Sequence, residues 1–140
     1  MNDEKNSFSK LAKLCNISTN DLQNVISMDG DNLILVCSLN GSNSTKQIIC
    51  TMIVLLSCNV LFSEKWIPST KILRVIKKFG ILDVGGNFAV NMKKKSNLIL
   101  KQQGFPEYML ISPDGVEVAK NLLKKLSNSE SVTKNDLNVN

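Results

Sequence analysis

Apolar residues recur at helical spacing along most of this chain, and turn-forming residues fill the gaps between the stripes. Phe8, Leu11, Ala12 and Cys15 fall at i, i+3, i+4 and i+7, one face of a short amphipathic helix. Asn16-Ile17-Ser18 follows as a turn, and Ser18 is placed to cap a second short helix through Ile26, with Leu22, Val25 and Ile26 on its apolar face. Asp29-Gly30-Asp31 is a turn, and Leu33 to Val36 a short strand. The polar stretch from Asn40 to Ser44 marks a boundary. These features predict a small helical unit over 1–40, a linker over 41–44, a main domain over 45–126 and a disordered polar tail over 127–140.

The main domain opens on an apolar helix from about Thr45 to Ser63. Its stretch from Ile48 to Phe62 carries no charge, but it is shorter than the ~18–20 residues of a bilayer span and contains Thr51, Ser57 and Asn59. A buried central helix is the expectation, with no membrane contact. After the break at Pro68, Ser69 is placed to cap a helix from Thr70 to Phe79. Ile72, Val75, Ile76 and Phe79 form its buried stripe, Lys71, Arg74 and Lys78 lie opposite, and Gly80 takes the position after the last turn. Asp83 is placed to cap a third helix from Val84 to about Ser96, with Val84, Phe88, Ala89 and Met92 inward. Two β-like runs follow, Leu98 to Lys101 and Tyr108 to Ile111, joined by a polar loop with Gly104 and Pro106. Ser112-Pro113 starts a last helix, striped by Val116, Ala119, Leu122, Leu123 and Leu126. The fold class is therefore mainly α with one small β-hairpin, an α+β domain with a small helical N-terminal appendage.

Charge adds a location. The net charge is +5, and the segment from Glu64 to Gln103 holds nine Lys or Arg against two acids, a local +7, leaving the rest at −2. The positive charge thus coincides with the two middle helices and the hairpin. At 140 residues the chain can bury roughly two-thirds of its unfolded surface and needs no metal or disulfide to fold. Cys15, Cys37, Cys50 and Cys58 form no C-x-x-C pair and there is no histidine, which removes the usual zinc spacings and any histidine base. Each cysteine sits among apolar residues, as a reduced thiol in a cytoplasmic protein would. MNDEKNSFSK is too polar for a signal peptide. No Ser/His/Asp set, phosphate-cradling glycine loop or carboxylate pair stands out, so neither an enzyme nor a cofactor is expected.

The order helix, helix, turn, helix, hairpin, closing helix resembles the winged helix-turn-helix superfamily. Its most specific element here is Tyr108-Met109-Leu110-Ile111 running into Ser112-Pro113-Asp114-Gly115 and on to Ala119, which is similar to the Y-x-L-T-x-x-G-x-x-x-A ending of bacterial and archaeal regulators, with Ser112 where Thr is usual. The resemblance covers 45–126 and implies a DNA-binding transcriptional regulator. By position, it implies that Asn87, Val90, Asn91 and Lys94 face the bases and that Lys93 and Lys95 lie near phosphates. Ser69, Thr70 and Lys71 would reach the backbone, with Arg74 and Lys78 on the same basic face, and Lys101, Gln102 and Gln103 would form the wing. Amides pair with adenine edges, an apolar group meets a thymine methyl, and lysines neutralise phosphates. Gly85-Gly86 departs from the pattern, since each glycine weakens a helix by about 1 kcal/mol. Either the helix starts near Asn87 or the backbone approaches a neighbour there.

The N-terminal segment also resembles a bacterial helix-turn-helix, on Ala12, Asn16-Ile17-Ser18 and Leu22. Its second helix shows Thr19, Asn20, Asp21 and Gln23 outward with no basic residue, so the expectation is a packing or dimerisation unit. A homodimer through this unit and helix 45–63 is expected. The alternative to DNA binding is a protein-interaction or adaptor module.

Overall fold

The fold is described from a computed structural model that covers residues 2–81 and 86–139, with side chains from residue 6 onward. It is a mixed, mainly helical fold with two small antiparallel sheets. The expected roles of Asp83 as a cap and Val84 as a core residue lie outside the described residues.

Helix α1, Asn2–Leu14, buries Leu11 and Ala12, with Cys15 just beyond its end. Asn16 then turns left-handed at φ 59°, which asparagine tolerates. Ser18 Oγ accepts from the Asp21 N–H at 3.1 Å and caps α2. That helix is only Thr19–Leu22, not the predicted run to Ile26. Ile26 instead begins strand β1, Ile26–Asp29, which pairs with β2, Asn32–Leu35. Gly30, at φ 63°, makes the tight connection. Consecutive β-branched Val25 and Ile26 suit a strand once a partner strand lies within reach.

Helix α3, Asn43–Phe62, is the axis of the molecule. Ser42 caps it by accepting from the Thr45 N–H at 3.2 Å, so the linker expected over 41–44 gives its second half to the helix. Every residue from Gln47 to Cys58 is buried, as a helix apolar all round requires. It is long and apolar enough to cross a membrane, but 67% of its most apolar window is buried inside the fold. α1, α6, β2, β5 and two helices described next, α4 and α5, surround it. From Gln47 to Cys58 the helix is thus covered from within the chain. The described side chains of residues 8–39 accordingly include members of the same core as the rest.

Strand β3, Ile67–Pro68, leads into α4, Ser69–Phe79. Ser69 is the first helical residue and Pro68 occupies the cap position, so the predicted serine cap is absent. Gly80 ends the helix at φ 103°, as predicted. Helix α5, Asn87–Lys94, is shorter than the 84–96 expected and starts after Gly86, whose φ is 73°. The later start is the outcome the glycine pair allowed. Strands β4, Ile99–Lys101, and β5, Glu107–Leu110, form the predicted hairpin, and β3 joins it in the order β3-β5-β4. Phe88 of α5 meets Tyr108 of β5 edge-on, ring centres 5.5 Å apart, fastening the helix to the sheet. Helix α6, Asp114–Ser127, packs on α3, and Ser112 makes no side-chain cap for it.

Part of the tail expected to be disordered packs back on the fold. Residues Lys134–Leu137 form a 3-10 turn capped by Thr133, and Val132 and Leu137 are buried. Asp136 accepts from Lys125 Nζ at 2.6 Å. That hydrogen bond holds the Asp136 carboxyl below its ordinary range and the Lys125 ammonium above its own. The polar composition hid two apolar residues spaced to reach α6. Leu137→Ala is expected to cost about 2 kcal/mol, the low end for a buried leucine because the terminal turn can relax. Urea unfolding checks this; a change within about 0.5 kcal/mol, as for an ordinary surface substitution, would show that the tail does not dock.

Candidate nucleic-acid interface

The residues expected to contact DNA divide into two groups around two separate clefts. The first group lies on α4. Its basic face looks toward the β1–β2 hairpin, because Ile72, Val75 and Ile76 must face the core. Arg74 and Lys78 are exposed and, with Lys71, line a cleft of about 200 Å³ opposite Asp31, Asn32 and Leu33. Lys71 is already engaged. Its Nζ forms an ion pair with Glu64 Oε1 and lies 4.4 Å from the centre of the Phe62 ring. Its expected role at the backbone would first have to break that pair, because the ammonium folds back onto its own chain. At the start of α4, Thr70 is exposed, while the Ser69 N–H donates to Pro106 O at 2.8 Å. The helix start is thereby tied to the loop between β4 and β5.

The second group lies on α5 and β4. Asn87, Ala89, Val90, Lys93 and Lys94 are exposed, and Lys95 is half-buried at the helix end. Among the described residues no acid lies within ion-pair distance of Lys93, Lys94 or Lys95. Lys101 of β4 is exposed, and its Nζ reaches Gln102 O at 3.4 Å. Gln103 is exposed at the hairpin tip.

Three expectations about this group need correction. Asn91 does not face outward. It is 2% exposed, and its Nδ2 donates to Gln47 Oε1 of α3 at 2.6 Å. The amide needs a polar partner in the core and finds it on the central helix, so it cannot read a base. Ala89, expected inward, is exposed, since the narrow buried face of α5 is filled by Phe88, Asn91 and Met92. Gln102 turns its Oε1 into the protein, where that atom has no hydrogen-bond partner among the described residues. It is not offered to a ligand as the wing role required.

Sequence reasoning missed an apolar groove between α5 and β4. Val90, Met92, Ile99, Leu100 and Tyr108 line it, with Lys93 and Lys101 also in its walls, and its volume is about 320 Å³. Val90 is 51% and Leu100 46% exposed, so the floor is open to solvent. The signal was the run Leu98-Ile99-Leu100. In a strand, successive residues take opposite faces, so Ile99 and Leu100 could not both be buried by one core; Ile99 is buried and Leu100 is not.

The thiols hold little chemical promise. Burial pushes Cys15, Cys37 and Cys58 up to about 11, and Cys50 higher still. They remain protonated and weakly nucleophilic near neutral pH. Among the described residues no three Cys, Asp or Glu side chains gather to hold a metal ion. No protein family, curated protein or solved structure matches the chain.

Proposed function

We propose that the chain is a winged helix-turn-helix protein that binds duplex DNA, as a transcriptional regulator would, through α5 and the β4–β5 hairpin. One observation carries this reading. The exposed face of α5 presents Asn87, Val90, Lys93 and Lys94 with no acid among them, and Lys101 continues it onto the hairpin. The arrangement of α3, α4 and α5 beside a three-stranded sheet, with β3 joining the hairpin on the β5 side, supports the winged-helix part. With Asn91 buried, Asn87 remains as the amide for an adenine edge and Val90 as the group for a thymine methyl. Lys93, Lys94, Lys95 and Lys101 are the phosphate partners.

Four lysines each neutralising one phosphate give a slope of about −3 to −4 in log affinity against log salt. Replacing Lys93 and Lys94 by Ala is expected to weaken binding to all duplexes alike and to flatten that slope by about 2. Asn87→Ala is expected to change the preferred sequence, by about 1–3 kcal/mol at one position. Anisotropy titrations of labelled duplexes across a salt series test both. Salt-insensitive binding, or none at low salt, would sink the DNA reading. The apolar groove favours a second reading, that the same surface takes a protein partner.

A further inference from the structure

Exposed Val90 and Leu100 face one concavity, backed by Met92 and Tyr108. Scattered apolar side chains on a surface are ordinary, but a continuous apolar floor in a groove is not. DNA makes poor use of it. A thymine methyl could engage Val90, yet a hydrated phosphate loses solvation over Val90 and Leu100 without gaining a donor. The side walls carry a different chemistry. Lys93 from α5 and Lys101 from β4 line the groove, Lys94 and Lys95 follow on the helix end, and no acid is among the lining residues. β4 is also an edge strand, bonded to β5 alone. On its outer side the Ile99 N–H already donates to Lys95 O at 2.9 Å, so an occupant is held by side chains and not by an added strand.

We infer that the groove between α5 and β4 binds an acidic peptide segment of a partner protein, its apolar side chains on Val90 and Leu100 and its carboxylates on Lys93 and Lys101. Both halves of the chemistry are required. Apolar side chains alone leave the lysine walls unmatched, and carboxylates alone leave the floor wet. The inference does not depend on DNA binding, although the two ligands would share lysines.

The test uses the full chain and three synthetic 16-residue peptides, each about 24 Å long when helical. The first alternates Leu or Phe with Asp or Glu at helical spacing, the second replaces every apolar residue by Ala, and the third replaces every acid by Lys. Fluorescence anisotropy is expected to show binding of the first peptide, with the other two at least about tenfold weaker. Leu100→Ser, an exposed position that leaves the core untouched, is expected to weaken the first peptide by about tenfold, the loss from one apolar side chain. Lys93→Ala with Lys101→Ala is expected to weaken it comparably. Duplex DNA affinity of the Leu100→Ser chain should stay within about twofold, which separates this proposal from the DNA reading. Equal binding of the acidic and the Ala-substituted peptides, no binding of the first peptide, or an unchanged affinity in Leu100→Ser, would overturn it.

Discussion

Gly115→Ala is expected to lower stability by about 3 kcal/mol or more, a larger loss than alanine at any other described glycine should produce. A Cβ built on Gly115 would lie 2.1 Å from the backbone O of Leu98 and 3.5 Å from the Leu110 side chain. The obstacle is backbone, and it is held in place: the Ile111 N–H donates to that same Leu98 O at 2.8 Å. The carbonyl cannot retreat without breaking that bond and moving the chain entering β4. The first turn of α6 must shift instead, and with it the packing of α6 on α3. Gly104, at the hairpin tip, is the informative control. A Cβ there meets nothing within 4 Å, and its φ of 81° leaves only the left-handed conformation to oppose an alanine. Gly104→Ala should cost about 1–2 kcal/mol. Urea unfolding of both variants checks the pair. Equal losses would mean that the approach of α6 to Leu98 is not what demands glycine at 115.

That close approach bears on the Tyr108 to Ala119 run noted in the sequence. Its glycine has a steric reason, and Tyr108 and Ala119 are both buried where the strand and helix meet the core. Helical stripes were equally legible. Leu11, Ala12 and Cys15, and Ile72, Val75 and Ile76, are buried as their spacing requires, because each sits on one face of a single helix. The losses came wherever a residue's fate depended on a distant partner. Val25 and Ile26 carried a helical spacing that β2 overrode. Lys71 looked like an outward cation until Glu64, seven residues earlier, was brought beneath it. Val132 and Leu137 were invisible in a polar tail because the surface they cover belongs to α6. For the candidate site, the exposed lysines of α5 followed from periodicity alone. The apolar groove did not, since it exists only where a helix and a strand from different segments converge.

Asn91→Ala should act as a core mutation, costing about 2 kcal/mol, and should leave base preference unchanged. The substitution removes the donor to Gln47 Oε1, and both groups lie at 2% exposure, where no solvent can replace the lost bond. The bond also does something geometric. It joins the middle of α5 to α3 across 44 residues of sequence and fixes the rotation of a two-turn helix about its own axis. Asn91 inward is what turns Val90, Lys93 and Lys94 outward. A helix this short, begun at a glycine with no side-chain cap, has little else to set its rotation besides Phe88 and Met92. Asn91→Ala should therefore weaken DNA of every sequence by a common factor, whereas Asn87→Ala should alter the ranking of sequences. Changing Asn91 and Gln47 together to Leu is the sharper experiment. If the two amides satisfy one another, the double variant loses less stability than the sum of the single changes, because no polar group of this pair is left stranded. Strict additivity would mean that the two side chains act independently. A changed sequence preference in Asn91→Ala would return that amide to the surface, and with it the base-reading role that its position on the helix first suggested.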